Sequence, residues 1–319
     1  MINKNMNKRI SGKQWLPILA TGLLLSASCN KHSLLGESSN ILGGVKALKA
    51  NNLSTFTATD TILNVDYESG TTDSGIPNLP GSDATAADAA YMIQPGATGS
   101  YAVAHKVVYG DSAYFADGNW RSETSTRNVA KFYPGEERRY EFSVLLKDWA
   151  DWVSPQPATR SNIFQCRVSG PYYVPIMVRI QRNSLQLRRV DSSAVTLVSD
   201  IRPYMNQWIN VRIDVLWSMD NTGYIKSYTK LPGQTSYTLN STLSNIRTFT
   251  GDTTVTGGGK FGYSKWGVYG VPTGTTGIAY HDDVRIIALD NQTNAVNLAN
   301  NNPTAKSKIS DRKEPTVGK

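Results

Sequence analysis

The sequence has few of the residues and motifs that common metal, nucleophile and phosphate sites require. It contains 2 cysteines and 3 histidines in 319 residues, and no two histidines have the spacing of zinc ligands. It has neither a nucleophile elbow nor a Walker loop. The glycine run at residues 257–259 is not followed by a helix start, so it predicts a mobile loop rather than a phosphate site. Zinc, elbow-type serine and P-loop chemistry are therefore not expected.

Excess positive charge is also missing from the part of the chain that is expected to fold. The net charge is +8, with a pI of about 9.3. Counted by segment, residues 1–28 carry +4, residues 29–55 carry +2 and residues 291–319 carry +3, which leaves −1 for residues 56–290. Nucleic-acid recognition needs lysines and arginines clustered on the fold itself. We therefore expect no nucleic-acid partner.

Long helical periodicity is scarce, and neither a βαβ rhythm nor an internal repeat is visible. Alternation of apolar and polar residues instead recurs about every 10–15 residues. It is clearest from Trp208 to Trp217, and the turn residues 220–223 predict a hairpin with residues 224–228. The predicted fold class is all-β: an antiparallel β-sandwich of the jelly-roll (concanavalin A-like) type over residues 56–290.

Both ends of the chain are predicted to lie outside this domain. Residues 1–28 have a basic start, an apolar run of about 11 residues that is too short to span a bilayer, and small residues directly before Cys29. This pattern resembles a bacterial lipoprotein signal peptide, and the resemblance implies that Cys29 is acylated. An ordinary secretory signal with an incidental cysteine is the alternative. Residues 29–55 are expected to be a flexible tether and residues 291–319 a disordered tail.

The location and assembly of the protein follow from this interpretation. We expect export to the periplasm or cell surface, with attachment to a membrane through the lipidated Cys29. With that thiol acylated, only Cys166 remains, so no intramolecular disulfide can form in the mature protein. A monomer is expected.

Three segments place polar side chains on one face of a predicted strand. Each segment alone also fits an ordinary outer sheet face. Together they are rich in Arg, Gln, Lys and Tyr and poor in acids, which predicts a cationic, hydrogen-bonding groove for a polyanion that carries carboxylates. The side chains assigned to this face are Arg121, Glu123, Ser125 and Arg127 in residues 119–127, Gln165 and Arg167 in residues 163–168, and Tyr263, Lys265, Gly267 and Tyr269 in residues 261–269.

Paired carboxylates of the kind that glycoside hydrolases use are not apparent. The densest acids, Glu136, Glu137 and Glu141, lie among Arg138 and Arg139 and predict a solvated strand edge. The sequence therefore gives little support to a glycoside hydrolase.

The three polar segments resemble the motif set of jelly-roll polysaccharide lyases. That set has an Arg-x-Glu strand, a Gln-x-His strand and a Tyr-x-Lys-x-Gly-x-Tyr strand. The surroundings resemble the heparin lyase I-like and glucuronan lyase group in particular, with motifs of the alginate-lyase type. The resemblance covers roughly residues 60–290, with the segments in the family's order.

The resemblance implies β-elimination at a uronic acid and assigns a role to each matching residue. Gln165 and Arg121 would neutralise the sugar carboxylate, and Glu123 would orient Arg121. Tyr269 would be the acid and base. Lys265 would bind a sugar carboxylate or act on Tyr269 through its charge. The remaining polar residues of the groove, Arg127 and Tyr263, would contact substrate.

One position departs from the family's pattern. Arg167 stands where the family has His, and an arginine stays protonated and cannot serve as a base. Arg167 could still bind a carboxylate, which would leave Tyr269 as both base and acid. His105, in the strand pattern of residues 104–107, is the other candidate base, and its alternative is a partly buried structural histidine.

The sequence therefore predicts a polysaccharide lyase that cleaves an acidic, glucuronan- or alginate-like polysaccharide. The alternative is a non-catalytic, lectin-like carbohydrate-binding protein on the same scaffold, which Arg167 makes plausible. No cofactor or catalytic metal is expected, while a structural calcium ion is left open.

Overall fold

The computed structural model describes residues 60–289, apart from residues 158, 171–173 and 191–192. The predicted signal peptide, Cys29, the tether and the C-terminal tail lie outside the described residues. Within the described part, no helix is both long and apolar enough to cross a membrane. The elements found there are two 3-10 helices, Ser112–Tyr114 and Arg202–Tyr204, and the strands β1 (Thr61–Val65), β2 (Ala90–Ile93), β3 (Ala102–Val108), β4 (Phe115–Ala116), β5 (Asn119–Ser125), β6 (Lys131–Phe132), β7 (Glu137–Leu146), β8 (Arg160–Val168), β9 (Ile176–Gln181), β10 (Ser184–Arg189), β11 (Ala194–Val198), β12 (Trp208–Leu216), β13 (Gly223–Lys230), β14 (Thr238–Ile246), β15 (Gly262–Tyr269) and β16 (Thr276–Ala288).

The strands form two antiparallel sheets of eight strands each. The first sheet has the order β14-β13-β12-β7-β16-β3-β2, with β1 paired to β16. The second sheet has the order β11-β10-β9-β8-β15-β5-β4, with β6 paired to β15. Neighbours in each sheet are often far apart in sequence, as in a jelly roll. The predicted all-β sandwich is confirmed.

Local sequence patterns explain the individual strands. In β12 the residues Ile209, Val211, Ile213 and Val215 are buried, as the alternation predicts. β12 and β13 pair as the expected hairpin across the polar turn at residues 220–223.

The core lies between the sheets and is rich in stacked aromatic rings. Phe132 stacks on Trp217 with ring centroids 3.9 Å apart, and Phe142 stacks on Phe164 at 4.7 Å. The pair at 4.7 Å lies within the range of distances at which aromatic rings attract each other beyond the effect of burial, and the pair at 3.9 Å is slightly closer than that range. Trp266 is also fully buried. This apolar layer covers the inner face of the second sheet, and the alternate side chains of its strands point to the outer face.

The solvated strand edge predicted for the dense acids is wrong. They belong to β7 or to the residue before it, and β7 lies between β12 and β16 in the first sheet. Glu136 pairs with Arg138 at 2.7 Å, and Glu141 pairs with Arg212 and Arg285 at 2.7 Å each. Both carboxylates are buried, because arginines neutralise them: Arg138, two residues away, for Glu136, and cross-strand arginines for Glu141.

Candidate active site

The three polar segments become three neighbouring strands of the second sheet. β15 lies in the middle, with β5 on one side and β8 on the other. The strand register sets the predicted side chains opposite one another. Across β15 the paired positions are Tyr269 with Arg121, Gly267 with Glu123, Lys265 with Gln165, and Tyr263 with Arg167.

These side chains share the outer face of the sheet, away from the core. The residues between them, such as Phe164 and Trp266, point inward and belong to the core. Although they face outward, most of the site's polar side chains are deeply enclosed by one another. The exposed fractions are 4% for Arg121, 2% for Glu123, 2% for Gln165 and 4% for Lys265.

Glu123 is the centre of the hydrogen-bond network. Its Oε1 accepts a hydrogen bond from Nε2 of Gln165 at 2.5 Å, and its Oε2 accepts one from Nζ of Lys265 at 3.0 Å. Nη1 of Arg121 lies 3.7 Å from the same Oε2. One carboxylate thus connects residues from all three strands and holds an amide and two cations close together.

Lys265 has a second acidic partner, which the sequence did not predict. Its Nζ lies 2.8 Å from Oδ2 of Asp83, in the loop between β1 and β2. The same carboxylate accepts a hydrogen bond from the backbone N–H of Glu123 at 3.0 Å through Oδ1. Burial alone would lower the pKa of Lys265, but the charges of Glu123 and Asp83 outweigh it and raise the pKa above its usual value. Lys265 therefore stays protonated.

Arg121 and Tyr269 form the other half of the site. The guanidinium carbon of Arg121 lies 4.4 Å from the centroid of the Tyr269 ring, within cation–π range. Nη2 of Arg121 donates to the backbone carbonyl of Asp117 at 3.1 Å. Nε of Arg121 is buried without a hydrogen-bond partner among the described residues. The cation next to Tyr269 is therefore Arg121 rather than Lys265, and it keeps a free donor.

Gly267 leaves an opening in this face between Lys265 and Tyr269. Its φ is +144°, and a Cβ at this position would lie 2.1 Å from the carbonyl oxygen of Ser122 and 2.8 Å from Cα of Glu123. No larger residue fits without moving β5. The glycine of the motif thus allows β15 and β5 to approach closely beside Glu123.

The remaining predicted groove residues lie at the other end of β15. Tyr263 is buried, Arg167 is half-buried and Arg127 is exposed. The guanidinium of Arg127 lies 5.9 Å from the Tyr263 ring centroid. These three residues extend the polar face away from Tyr269.

The structure does not bring His105 to this face, so the hypothesis that it is the base is withdrawn. His105 is fully buried in β3 of the first sheet, and its Nε2 lies 3.1 Å from Oγ1 of Thr124 on the inner face of β5. Burial lowers the pKa of His105 to about 4. Its ring lies 5.4 Å from that of His281, also in the interior. The structural role that the sequence left open fits this position.

Two further observations bear on site assignments. Among residues 60–289, excluding the gaps, no group of three His, Cys, Asp or Glu side chains is arranged to hold a metal ion. Asn162 of β8 lies opposite Tyr269 and was not predicted. A β-bulge between Asn162 and Phe164 shifts the alternation of β8. A strict alternation therefore does not place Asn162 on the same face as Gln165.

Comparison with solved structures identifies similar folds. An endo-β-1,4-glucuronan lyase from the fungus Trichoderma reesei matches with a TM-score of 0.51 and 18% identity, covering 71% of this chain and 95% of that one. Alginate lyases from Klebsiella pneumoniae and Corynebacterium sp. match with TM-scores of 0.44 and 0.40 and identities of 11% and 16%. They cover 63% and 59% of this chain and 85% and 77% of their own. At these identities the likeness concerns the fold, and the alginate lyases carry no further argument.

Comparison with protein families is more specific. No curated protein matches the chain. The family model described as polysaccharide lyase matches residues 64–285, which include all three strands of the site. The chain belongs to the polysaccharide lyase family.

Proposed function

We propose that this lyase cleaves a uronic-acid polysaccharide, glucuronan- or alginate-like, by β-elimination. The observation that carries the proposal is the buried guanidinium of Arg121, which lies against the ring of Tyr269 and whose Nε has no hydrogen-bond partner among the described residues. A donor of this kind suits the carboxylate of a uronic acid, because charge-assisted hydrogen bonds to carboxylates are strong. A neutral sugar offers no such acceptor.

The chemistry requires that the sugar carboxylate be neutralised first. The proton on C5 is barely acidic until the negative charge beside it is balanced. Arg121 supplies a positive charge, and Gln165 an amide that lies 2.5 Å from Glu123. In this proposal Glu123 holds both donors in place while the substrate carboxylate binds them.

Tyr269 then serves in both proton transfers. As phenolate it takes the C5 proton, the C5–H electron pair forms the C4–C5 double bond, and the bond between C4 and O4 breaks. Tyr269 returns the proton to O4, so that it ends as it began. Between the two transfers Tyr269 holds the proton and is neutral, and Arg121 balances the negative charge of the bound sugar carboxylate. One residue can do both only when the proton and the leaving group lie on one face of the sugar.

The experiment is an assay on a panel of glucuronan, alginate and heparin-like chains, read by the ultraviolet absorbance of unsaturated uronate ends. Activity on at least one member is expected. Tyr269→Phe should abolish it with an unchanged circular dichroism spectrum. Tyr228→Phe, in β13 of the other sheet, is the matched control and should keep full activity. Full activity of Tyr269→Phe would contradict the assignment of the acid and base.

A lectin-like protein is the second candidate, and the observation that favours it is Arg167. This residue lies opposite Tyr263 in the position where the family has its His, and it strengthens anion binding without supplying a base. Saccharide binding without unsaturated products across the whole panel would favour this candidate and exclude the lyase activity.

We also propose that the protein is an exported monomer, anchored through an acylated Cys29. Incorporation of labelled palmitate into the wild type, and its loss in Cys29→Ala, is the expected result. Labelling of both proteins, or of neither, would contradict acylation at this residue.

A further inference from the structure

Three arginines lie on one diagonal across the outer face of β8, β9 and β10. Arg179 of β9 pairs in register with Asn162 of β8 and with Gln186 of β10. Arg160 and Arg188 lie two residues from those partners, on the same face. Diagonal neighbours of this kind have long side chains within reach of one another. We call these residues, Arg160, Arg179 and Arg188, the arginine diagonal.

The central arginine is buried with an unused donor. Arg179 is only 9% exposed, and its Nη2 donates to Oε1 of Gln186 at 3.2 Å. Its Nε has no hydrogen-bond partner among the described residues. Burial and the positive charges of Arg160 and Arg188 lower the pKa of Arg179. Among the residues that the structure describes, the guanidinium thus has positive charges nearby and no carboxylate partner.

Three arginines of the first sheet, in contrast, have carboxylate partners. Arg139, Arg212 and Arg285 in the first sheet each have a carboxylate oxygen at 2.7 Å. For the arginine diagonal, no ion pair is found within the part of the chain that the structure describes. Asp151 lines the same cleft as Arg160, but no ion pair joins them. A buried cation without a counterion is costly, so an anion from outside would be bound favourably.

The arginine diagonal adjoins the proposed catalytic residue. Tyr269, Asn162 and Arg179 occupy one row across β15, β8 and β9. Two strand spacings separate Tyr269 from Arg179, which is about 10 Å. Arg160 also lines a cleft of about 560 Å³ at the end of the sandwich. A polysaccharide that lies across the strands at Tyr269 therefore continues over Arg179.

We propose that Arg160, Arg179 and Arg188 form a second carboxylate-binding subsite, which holds a uronate of the polymer away from the bond that is cleaved. The proposal rests on the proposed function for its substrate class. This second subsite favours acidic substrates that extend past the cleaved bond over shorter or neutral ones, because such a substrate places uronates at both Arg121 and Arg179.

The first test compares Arg179→Gln with wild type on a long polyuronate and on its shortest cleaved oligomer. Loss of a charge-assisted contact should raise KM for the polymer about tenfold, with kcat and KM for the oligomer little changed. Arg285→Gln, the same substitution on the other sheet, should leave all values unchanged. An unchanged polymer KM in Arg179→Gln, or an equal rise in Arg285→Gln, would overturn the subsite.

A second variant, Arg188→Gln, keeps the proposal testable if Arg179→Gln does not fold. Arg188 is less buried than Arg179, so Arg188→Gln should fold normally and raise the polymer KM in the same direction. Removing an uncompensated buried cation should also leave the melting temperature of Arg179→Gln at or above that of the wild type. A polymer KM at the wild-type value in a folded Arg188→Gln would count against the proposal.

A binding measurement separates this proposal from the proposed function. Titration calorimetry uses the Tyr269→Phe protein with glucuronan or alginate, and with a neutral glucan as the comparison. Adding Arg179→Gln should weaken binding of the acidic polymer about tenfold without changing the glucan result. If the wild type shows no lyase activity but this loss is seen, the subsite stands and the lyase proposal falls. If the wild type is active but Arg179→Gln binds the acidic polymer as tightly as before, the lyase proposal stands and the subsite proposal falls.

Discussion

The ammonium of Lys265 lies 3.0 Å from Oε2 of Glu123, and both side chains are almost fully enclosed on the outer face of a sheet. Two further side chains contact this pair. Asp83 lies 2.8 Å from the same ammonium, and Gln165 donates to the other oxygen of Glu123. An enclosed network of this kind is stable only while each member keeps its partners.

The first prediction concerns the central carboxylate. Glu123→Gln keeps the shape of the side chain but leaves Lys265 with one acidic partner, so the free energy of unfolding should fall by about 3 kcal/mol. Urea denaturation measures this. Asp83→Asn is the comparison, and it should cost less because the Asp83 side chain is 22% exposed. Equal losses in the two variants would show that enclosure does not determine the cost.

The second prediction concerns Gly267. In Gly267→Ala the new methyl group meets the backbone of Ser122 and Glu123, which should destabilise the fold by about 2 kcal/mol and displace Glu123. Thermal unfolding and lyase activity should both decline. Gly233 also has a positive φ, of +82°, but nothing lies within 4 Å of its Cβ position. Gly233→Ala should therefore keep its activity, and loss of activity in both variants would contradict the steric explanation.

The third prediction separates binding from reaction at Arg167. If this arginine only binds carboxylate, Arg167→Gln should raise KM for a polyuronate about tenfold and leave kcat nearly unchanged. Lys226→Gln removes a positive charge from β13 of the other sheet and should have no effect. A collapse of kcat in Arg167→Gln would mean that Arg167 takes part in the proton transfers.

The fourth prediction concerns pH and His105. Burial lowers its pKa in the folded protein to about 4, against an ordinary value of 6.5. Between these values the unfolded chain binds a proton that the folded chain does not, so acid favours unfolding by about 1.4 kcal/mol per pH unit. Above pH 6.5 both forms are neutral and the contribution is flat.

The measurement must isolate that one histidine. Asp282 acts in the opposite direction throughout this range, because burial and the charge of Asp283 raise its pKa from 3.8 to about 7. The expected result is therefore a difference: the stability of the wild type relative to His105→Gln falls as the pH drops from 6.5 towards 4. A constant difference would mean that His105 becomes protonated without unfolding.

Sequence patterns predicted the strands and the direction of most side chains, because alternation is a local property of a strand. Trp208–Leu216 follows its alternation closely. The predicted polar residues of β5 and β15 lie opposite one another, whereas a β-bulge interrupts the alternation of β8. The partner of each strand is not a local property. The position of β15 between β5 and β8 was not predicted, since no residue spacing within the chain specifies it.

The wrong or missing predictions share a physical cause. β3 is buried on both faces at His105, so alternation could not tell which sheet face the ring would take. Glu141 is enclosed only because Arg212 and Arg285, far away in sequence, reach it. Asp83 lies in a loop, where no periodic pattern gives a direction. Each of these positions is determined by tertiary partners.

The strict division of β15 between two faces has a consequence for folding. Lys265, Gly267 and Tyr269 face outward, whereas Trp266 and Val268 belong to the core. A pairing error of one residue would bury a lysine and a tyrosine hydroxyl and expose a tryptophan. It would also move the close approach to Ser122 from a glycine to a residue with a side chain. The residues proposed to act on the polysaccharide thereby also make misfolded strand pairings unstable.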